Sequence, residues 1–284
     1  MSNPRGVLTL ACPDRKGIVA SVSRFLYENG CNIIDSSQFG DRRNGQFFLR
    51  TYFESESGKQ IPNLEELFSP VARDFDMEWH FYDSAKKPRA LIMVSRFGHC
   101  LVDLLYRIRI GALPIEVPVV VSNHRDLADV VAASGIPFRY LPVTPDNKPE
   151  QEEALSEIVE TKRIDLVVLA RYMQILSSNL TNRWPGRVIN IHHSFLPSFK
   201  GAKPYHQAYE RGVKLIGATA HYVTEDLDEG PIIEQEVERV NHAMSPEECA
   251  AVGRDIESRV LARAVKWHAE HRVLLNGTRT VVFT

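Results

Sequence analysis

The chain has 284 residues, 44% of them hydrophobic and 25% charged, with a formal net charge of −2. This balance excludes a disordered chain and argues against a general nucleic-acid binder, whose phosphate contacts require a basic surface. The length favours two domains. Residues 6–12 are predicted to form a strand. Residues 17–29 follow as a helix, with Ile18, Val22, Phe25 and Leu26 at helical spacing, and Gly30 suits the left-handed position that ends it. Residues 32–39 and 46–53 read as strands around a polar turn, residues 64–75 as a second helix and 77–82 as a fourth strand. The order βαββαβ is the ferredoxin-like arrangement. The short polar segment Ser84-Ala85-Lys86-Lys87-Pro88 marks a boundary, so residues 1–84 are expected as one domain and 85–284 as another.

Beyond it, strands at 89–95, 117–122, 138–143, 165–170 and 187–191 alternate with helices at 99–109, 127–133 and 150–161. Such alternation predicts an α/β domain with a doubly wound, mostly parallel sheet. A further apolar strand covers 216–224. Ser245-Pro246-Glu247-Glu248 has the capping-box pattern that starts a long helix, and Asn276-Gly277 is a hairpin signal.

The four cysteines, Cys12, Cys31, Cys100 and Cys249, form no CxxC pair and read as small buried side chains of a reducing compartment. Pro13, Asp14 and Arg15 interrupt what would be the apolar stretch of a signal peptide, and no run approaches the ~20 apolar residues that cross a bilayer. A cytoplasmic protein, with no membrane or nucleic-acid partner, is the expectation.

Sites in open α/β sheets lie beyond the carboxyl ends of the strands. The strand at 187–191 runs into polar residues there. Asn190 and His192 are two apart, hence on one face of the pleat. An amide beside a protonated imidazole suits an oxyanion developing on a carbonyl under attack. A carboxylate from the acidic loop 225–229 would hold the imidazole and move a proton. No nucleophile elbow of the GxSxG kind is present, so covalent catalysis has no support. Taken singly, Asn190 serves equally as a turn residue, His192 as an ordinary core histidine and the acidic run as a solvated loop. A metal site built from His192, His193, His206, His221 and Asp228 is the rival reading, although neither HExxH nor CxxC spacing occurs.

The motif Asn190-Ile191-His192-His193-Ser194-Phe195-Leu196-Pro197, followed by the stretch from Gly217 through His221 and Asp228 to Gly230-Pro231, resembles the formyltransferase family that uses 10-formyltetrahydrofolate. The resemblance implies a catalytic trio at Asn190, His192 and Asp228, and places the family's second-motif histidine at His221. The segment from Asp165 to Leu176 is similar to the family's strand and folate loop. Tyr172, Met173, Gln174, Ile175 and Leu176 are thereby implied as the folate-binding wall, their main chain hydrogen-bonding the pterin, with His221 in the same pocket.

One stretch departs from that pattern. Where the glycinamide ribonucleotide formylating members carry a Gly/Ser-rich phosphate loop, this chain has Ser95-Arg96-Phe97-Gly98-His99. With that seat filled, water is the expected acceptor. The N-terminal segment Cys12-Pro13-Asp14-Arg15-Lys16-Gly17-Ile18-Val19 resembles an ACT domain, which implies an amino-acid effector, glycine or methionine, at Asp14, Gly17 and Asn32, and a homo-oligomer. ACT and formyl-transfer parts together resemble the formyltetrahydrofolate deformylase family. That implies hydrolysis of 10-formyltetrahydrofolate to tetrahydrofolate and formate without a cofactor, supplying formate for purine synthesis and balancing one-carbon pools. Formyl transfer to a small amine, and a non-catalytic folate or amino-acid sensor, stay open as alternatives.

Overall fold

Strand β1 (Arg5–Pro13) buries Val7, Leu8, Leu10 and Cys12 and forms the middle of a four-stranded antiparallel sheet. The computed structural model describes residues 3–196 and 204–284. Helix α1 (Ile18–Glu28) starts at Gly17, whose φ of 98° favours glycine, and turns Ile18, Val22, Phe25 and Leu26 inward as the periodicity predicts. Strands β2 (Cys31–Asp41) and β3 (Gln46–Ser55), helix α2 (Ile61–Asp74) and strand β4 (Glu78–Asp83) complete βαββαβ, with strand order β2-β3-β1-β4. The helices pack on the sheet over edge-to-face rings of Phe25, Phe53, Phe68, Trp79 and Phe81. Helix α2 begins three residues earlier than its apolar spacing suggested, because Pro62 suits its first turn.

The second unit is built on a seven-stranded sheet of order β11-β10-β9-β8-β5-β6-β7. Its strands are β5 (Arg89–Val94), β6 (Glu116–Ser122), β7 (Phe138–Tyr140), β8 (Leu166–Leu169), β9 (Val188–His192), β10 (Leu215–Tyr222) and β11 (Ile232–Arg239). β5 to β9 run parallel, whereas β10 and β11 join antiparallel. The near-continuous apolar runs of β5 and β8 are buried throughout. Helices α3 (His99–Arg109), α4 (Ala128–Ala133), α5 (Lys148–Thr161), α6 (Ser178–Arg183), α7 (Pro204–Glu210) and α8 (Pro246–Ala269) connect or follow these strands. The expected capping box is present at α8: Ser245 N–H donates to Glu248 Oε2 at 2.7 Å and Glu248 N–H to Ser245 Oγ at 3.2 Å.

Compactness groups the chain's last residues with both units. The compact units are Met1–Lys87 with Glu270–Asn276 and Val281–Thr284, and Pro88–Ala269 with Gly277–Thr280. Polar pairing draws the tail into the first unit. Asn276, in the hairpin strand β12 (Val273–Asn276), donates to buried Asp41 at 2.8 Å and accepts from Asn44 at 2.6 Å. Buried Arg50 donates to the Glu270 carbonyl, and His271 stacks on Tyr82 at 3.5 Å. The turn at Gly277 leads to β13 (Arg279–Val282) as the Asn-Gly pair predicts.

Candidate active site

Strand register assembles the site. β9 and β10 pair antiparallel with Asn190 opposite His221 and His192 opposite Thr219. Alternation along each strand then sets all four side chains on one face. The ladder between β10 and β11 shifts register at Ala220 and His221, a bulge of the kind that re-aims a side chain beside a site. Thr219 pins the turn after His192: its hydroxyl donates to Ser194 O, accepts from Leu196 N–H and accepts from Gln235 Nε2.

Asp228 arrives from the loop after β10, with φ of 58°. This left-handed conformation is tolerated by the short carboxylate chain at some cost. The loop is held by Gly230, where a Cβ would fall 1.8 Å from Tyr222 O, and by Tyr222 N–H donating to Pro231 O at 2.9 Å. Only glycine lets the chain pass so close.

The resulting cluster is tight and mostly dry. His192 Nδ1 lies 3.3 Å from Asp228 Oδ1, and His221 Nε2 lies 3.7 Å from the same oxygen. The side chains of His192, His221 and Asp228 are 6%, 2% and 15% exposed. The hydrogen bond with His192 outweighs burial and holds the Asp228 carboxyl far below the usual carboxylate range. Asp228 is therefore an acceptor, and His192 Nδ1 carries the proton it accepts. His192 Nε2 is left buried with no hydrogen-bond partner among the described residues. His221 Nδ1 donates to the Tyr222 carbonyl at 2.9 Å, so its Nε2 receives the Asn190 amide at 3.2 Å.

A cavity of about 240 Å³ opens over this face, lined by Asn190, His192, His221 and Asp228 and walled by residues 171–176. Met173 and Ile175 are exposed there, whereas Tyr172 and Leu176 are buried. Burial pushes the Tyr172 phenol up to about 12. The Met173 N–H is already committed to Ser95 Oγ at 3.0 Å, so it leaves the set of main-chain groups free for a ligand.

The structure thus brings Asn190, His192, Asp228, His221 and the five wall residues to one cavity. Pro197, named in the motif, lies outside the described residues. Asp14 and Gly17 sit where β1 passes into α1, and Asn32 lies near the start of β2; all three are exposed. The metal-compatible group among the described residues is His99, Cys100 and Glu257, elsewhere than the five ligands of the rival reading. Sequence reasoning gave no role to Thr219 or to Gly230. Thr219 stands two before His221 on the same strand face, a signal present in the pattern; the need for Gly230 appears only once the loop folds back on Tyr222.

Comparison with known proteins bears on this site. The formyl transferase family matches residues 88–265 and the ACT domain family matches residues 6–69. The chain is 52% identical over 279 residues to a formyltetrahydrofolate deformylase of Corynebacterium sp. (strain P-1), covering 98% of each. A crystal structure of formyltetrahydrofolate deformylase from Burkholderia mallei matches with a TM-score of 0.95 at 52% identity, over 99% of this chain and 100% of that one. Glycinamide ribonucleotide transformylase 1 from Symbiobacterium toebii matches with a TM-score of 0.66 at 30% identity, over 72% of this chain and 97% of that one.

Proposed function

The chain belongs to the formyltetrahydrofolate deformylase family, a family of hydrolases, and from that premise we infer that it hydrolyses 10-formyltetrahydrofolate to tetrahydrofolate and formate. The observation that carries the mechanism is His192, fixed by Asp228 at Nδ1, with Nε2 unpartnered among the described residues. A water held at Nε2 gives up a proton to it and attacks the formyl carbon. The Asn190 amide, aimed by His221, donates to the oxyanion, and the newly formed His192 imidazolium supplies the second donor. Collapse breaks the C–N10 bond while His192 returns the proton to N10, releasing the amine and formate. Asp228 stays ionised throughout and steadies the imidazolium, as an orienting carboxylate does.

Residues 172–176 wall the folate, with Ile175 and Leu176 as its apolar side. His221 acts as a positioning residue between Asn190 and Asp228. The balance of this reaction needs no bound cofactor. The ACT domain would bind an amino acid, glycine or methionine, through Asp14, Gly17 and Asn32, in a homo-oligomer. The formate released would feed purine synthesis.

Formate release from 10-formyltetrahydrofolate by the EDTA-treated protein, with no amine present, tests the reading. Turnover that falls at least 100-fold in Asn190→Ala is expected. No release from the wild type would overturn it.

A further inference from the structure

β5 lies between β8 and β6, and the strand order reverses there: the chain goes outward through β6 and β7, then returns to β8 and β9 on the other side. Such a switch point places a ligand crevice beyond the carboxyl end of the strand. Here that place is filled. Ser95 Oγ donates to Asn123 Oδ1 at 2.7 Å, and Ser95 N–H donates to Arg171 O at 3.3 Å, which stitches the ends of β5, β6 and β8 together.

Beside them sits a buried ionic group. Glu257 of α8 is 1% exposed; its Oε1 accepts from Tyr205 Oη at 2.6 Å and its Oε2 from His99 Nε2 at 2.8 Å. Arg171 Nε lies 3.4 Å from Oε2, and the Phe97 ring covers the guanidinium at 5.7 Å. Burial raises the Glu257 carboxyl, but the His99 hydrogen bond, the Arg171 charge and the Tyr205 hydroxyl bring it below its ordinary value. Cys100 lies close enough to join His99 and Glu257 around a metal. Both carboxylate oxygens are already engaged, though, and a guanidinium stands in the same place, which repels a cation.

Arg171 is the informative residue. Its φ of 63° is one that glycine adopts without strain, and its charge is buried at 11% side-chain exposure. Both features are costly and neither serves the strand. Arg171 also belongs to the wall of the catalytic cavity.

We propose that Arg171, Glu257, His99 and Tyr205 form a specificity plug. They fill the switch-point crevice where an amine acceptor would lie, so water alone reaches the formyl carbon. The inference rests on the deformylase reading and names what restricts its acceptor.

The test is the double variant Arg171→Gly with Glu257→Gln. Glycine relieves the backbone, and the amide keeps partners in Tyr205 and His99 without an unpaired buried charge. The protein is given 10-formyltetrahydrofolate and glycinamide, and both formate and N-formylglycinamide are measured. In transfer, the glycinamide nitrogen attacks the formyl carbon, the C–N10 bond breaks, and N10 takes up the proton that the amine loses. Formate alone is expected from the wild type, and a tenfold or greater rise in the ratio of formylglycinamide to formate from the variant. An unchanged ratio in a folded variant overturns the plug. Arg171→Gly alone, which leaves Glu257 bonded to His99 and Tyr205, decides the matter if the double variant fails to fold: a threefold rise supports the plug, and no rise overturns it. A wild type that releases no formate overturns the deformylase reading itself.

Discussion

Asn190 and His221 face each other across the β9–β10 ladder, amide nitrogen to Nε2 at 3.2 Å. The imidazole is itself fixed by the Tyr222 carbonyl at Nδ1. The amide therefore stands oriented before any ligand arrives, which is what an oxyanion donor requires. Asn190→Ala should lower kcat by about 10²–10³ with little change in folate affinity. His221→Phe should lower kcat less, because the amide remains but loses its guide. Steady-state kinetics with equilibrium folate binding check both; a fall in affinity that accounts for the whole loss would reassign Asn190 to binding.

Asp228→Asn keeps a side chain that accepts the left-handed backbone but removes the charge that holds His192. Activity should fall by about 10³ or more, as for an orienting carboxylate in a triad. Stability has a defined pH dependence. The native carboxyl is depressed below its unfolded value of about 3.9, so its contribution is complete above that value and fades as pH falls below it. Urea unfolding should show wild type and variant differing most near neutrality and converging toward pH 3. A gap that widens in acid would contradict the assignment.

Gly230→Ala places a methyl against the Tyr222 carbonyl. The same carbonyl holds His221, and the same loop holds Asp228. The substitution should cost about 2 kcal/mol of stability and depress formate release far more than that loss of folded protein explains. Activity per folded molecule, normalised by circular dichroism, is the measurement; full specific activity would show that the loop tolerates the shift.

Asn276→Ala leaves Asp41 without one of its donors inside the first unit. A buried acceptor stripped of a partner costs about 1–3 kcal/mol. Chemical denaturation should show that loss, while kcat in the folded protein stays near wild type.

Much of this was legible in the residues. The period-2 placement of Asn190 and His192, the acidic loop and the βαββαβ order all follow from local pattern, and local pattern survives folding. What escaped depends on residues far apart in the chain. Strand β11 reads as a polar segment because Glu234 and Glu236 meet Arg259 and Arg263 of α8; the one-turn spacing of those arginines is its only clue. α6 and α7 are too short for a helical stripe. No local pattern marks Arg171 or Glu257, because only the fold brings them together. The pairing of Asn276 is hidden for the same reason: it looks like a turn residue, and its tie to Asp41 spans most of the sequence.

That tie has a consequence for synthesis. The first unit includes residues on both sides of the second, so its last strands, with Asn276 and Glu270 that pair with Asp41 and Arg50, leave the ribosome only after the whole of Pro88–Ala269. Asp41 must wait for Asn276, and Arg50 for the Glu270 carbonyl, through translation of everything between. A fragment cut at residue 84 would carry that unfinished state permanently, and the N-terminal unit is best prepared only as part of the whole polypeptide.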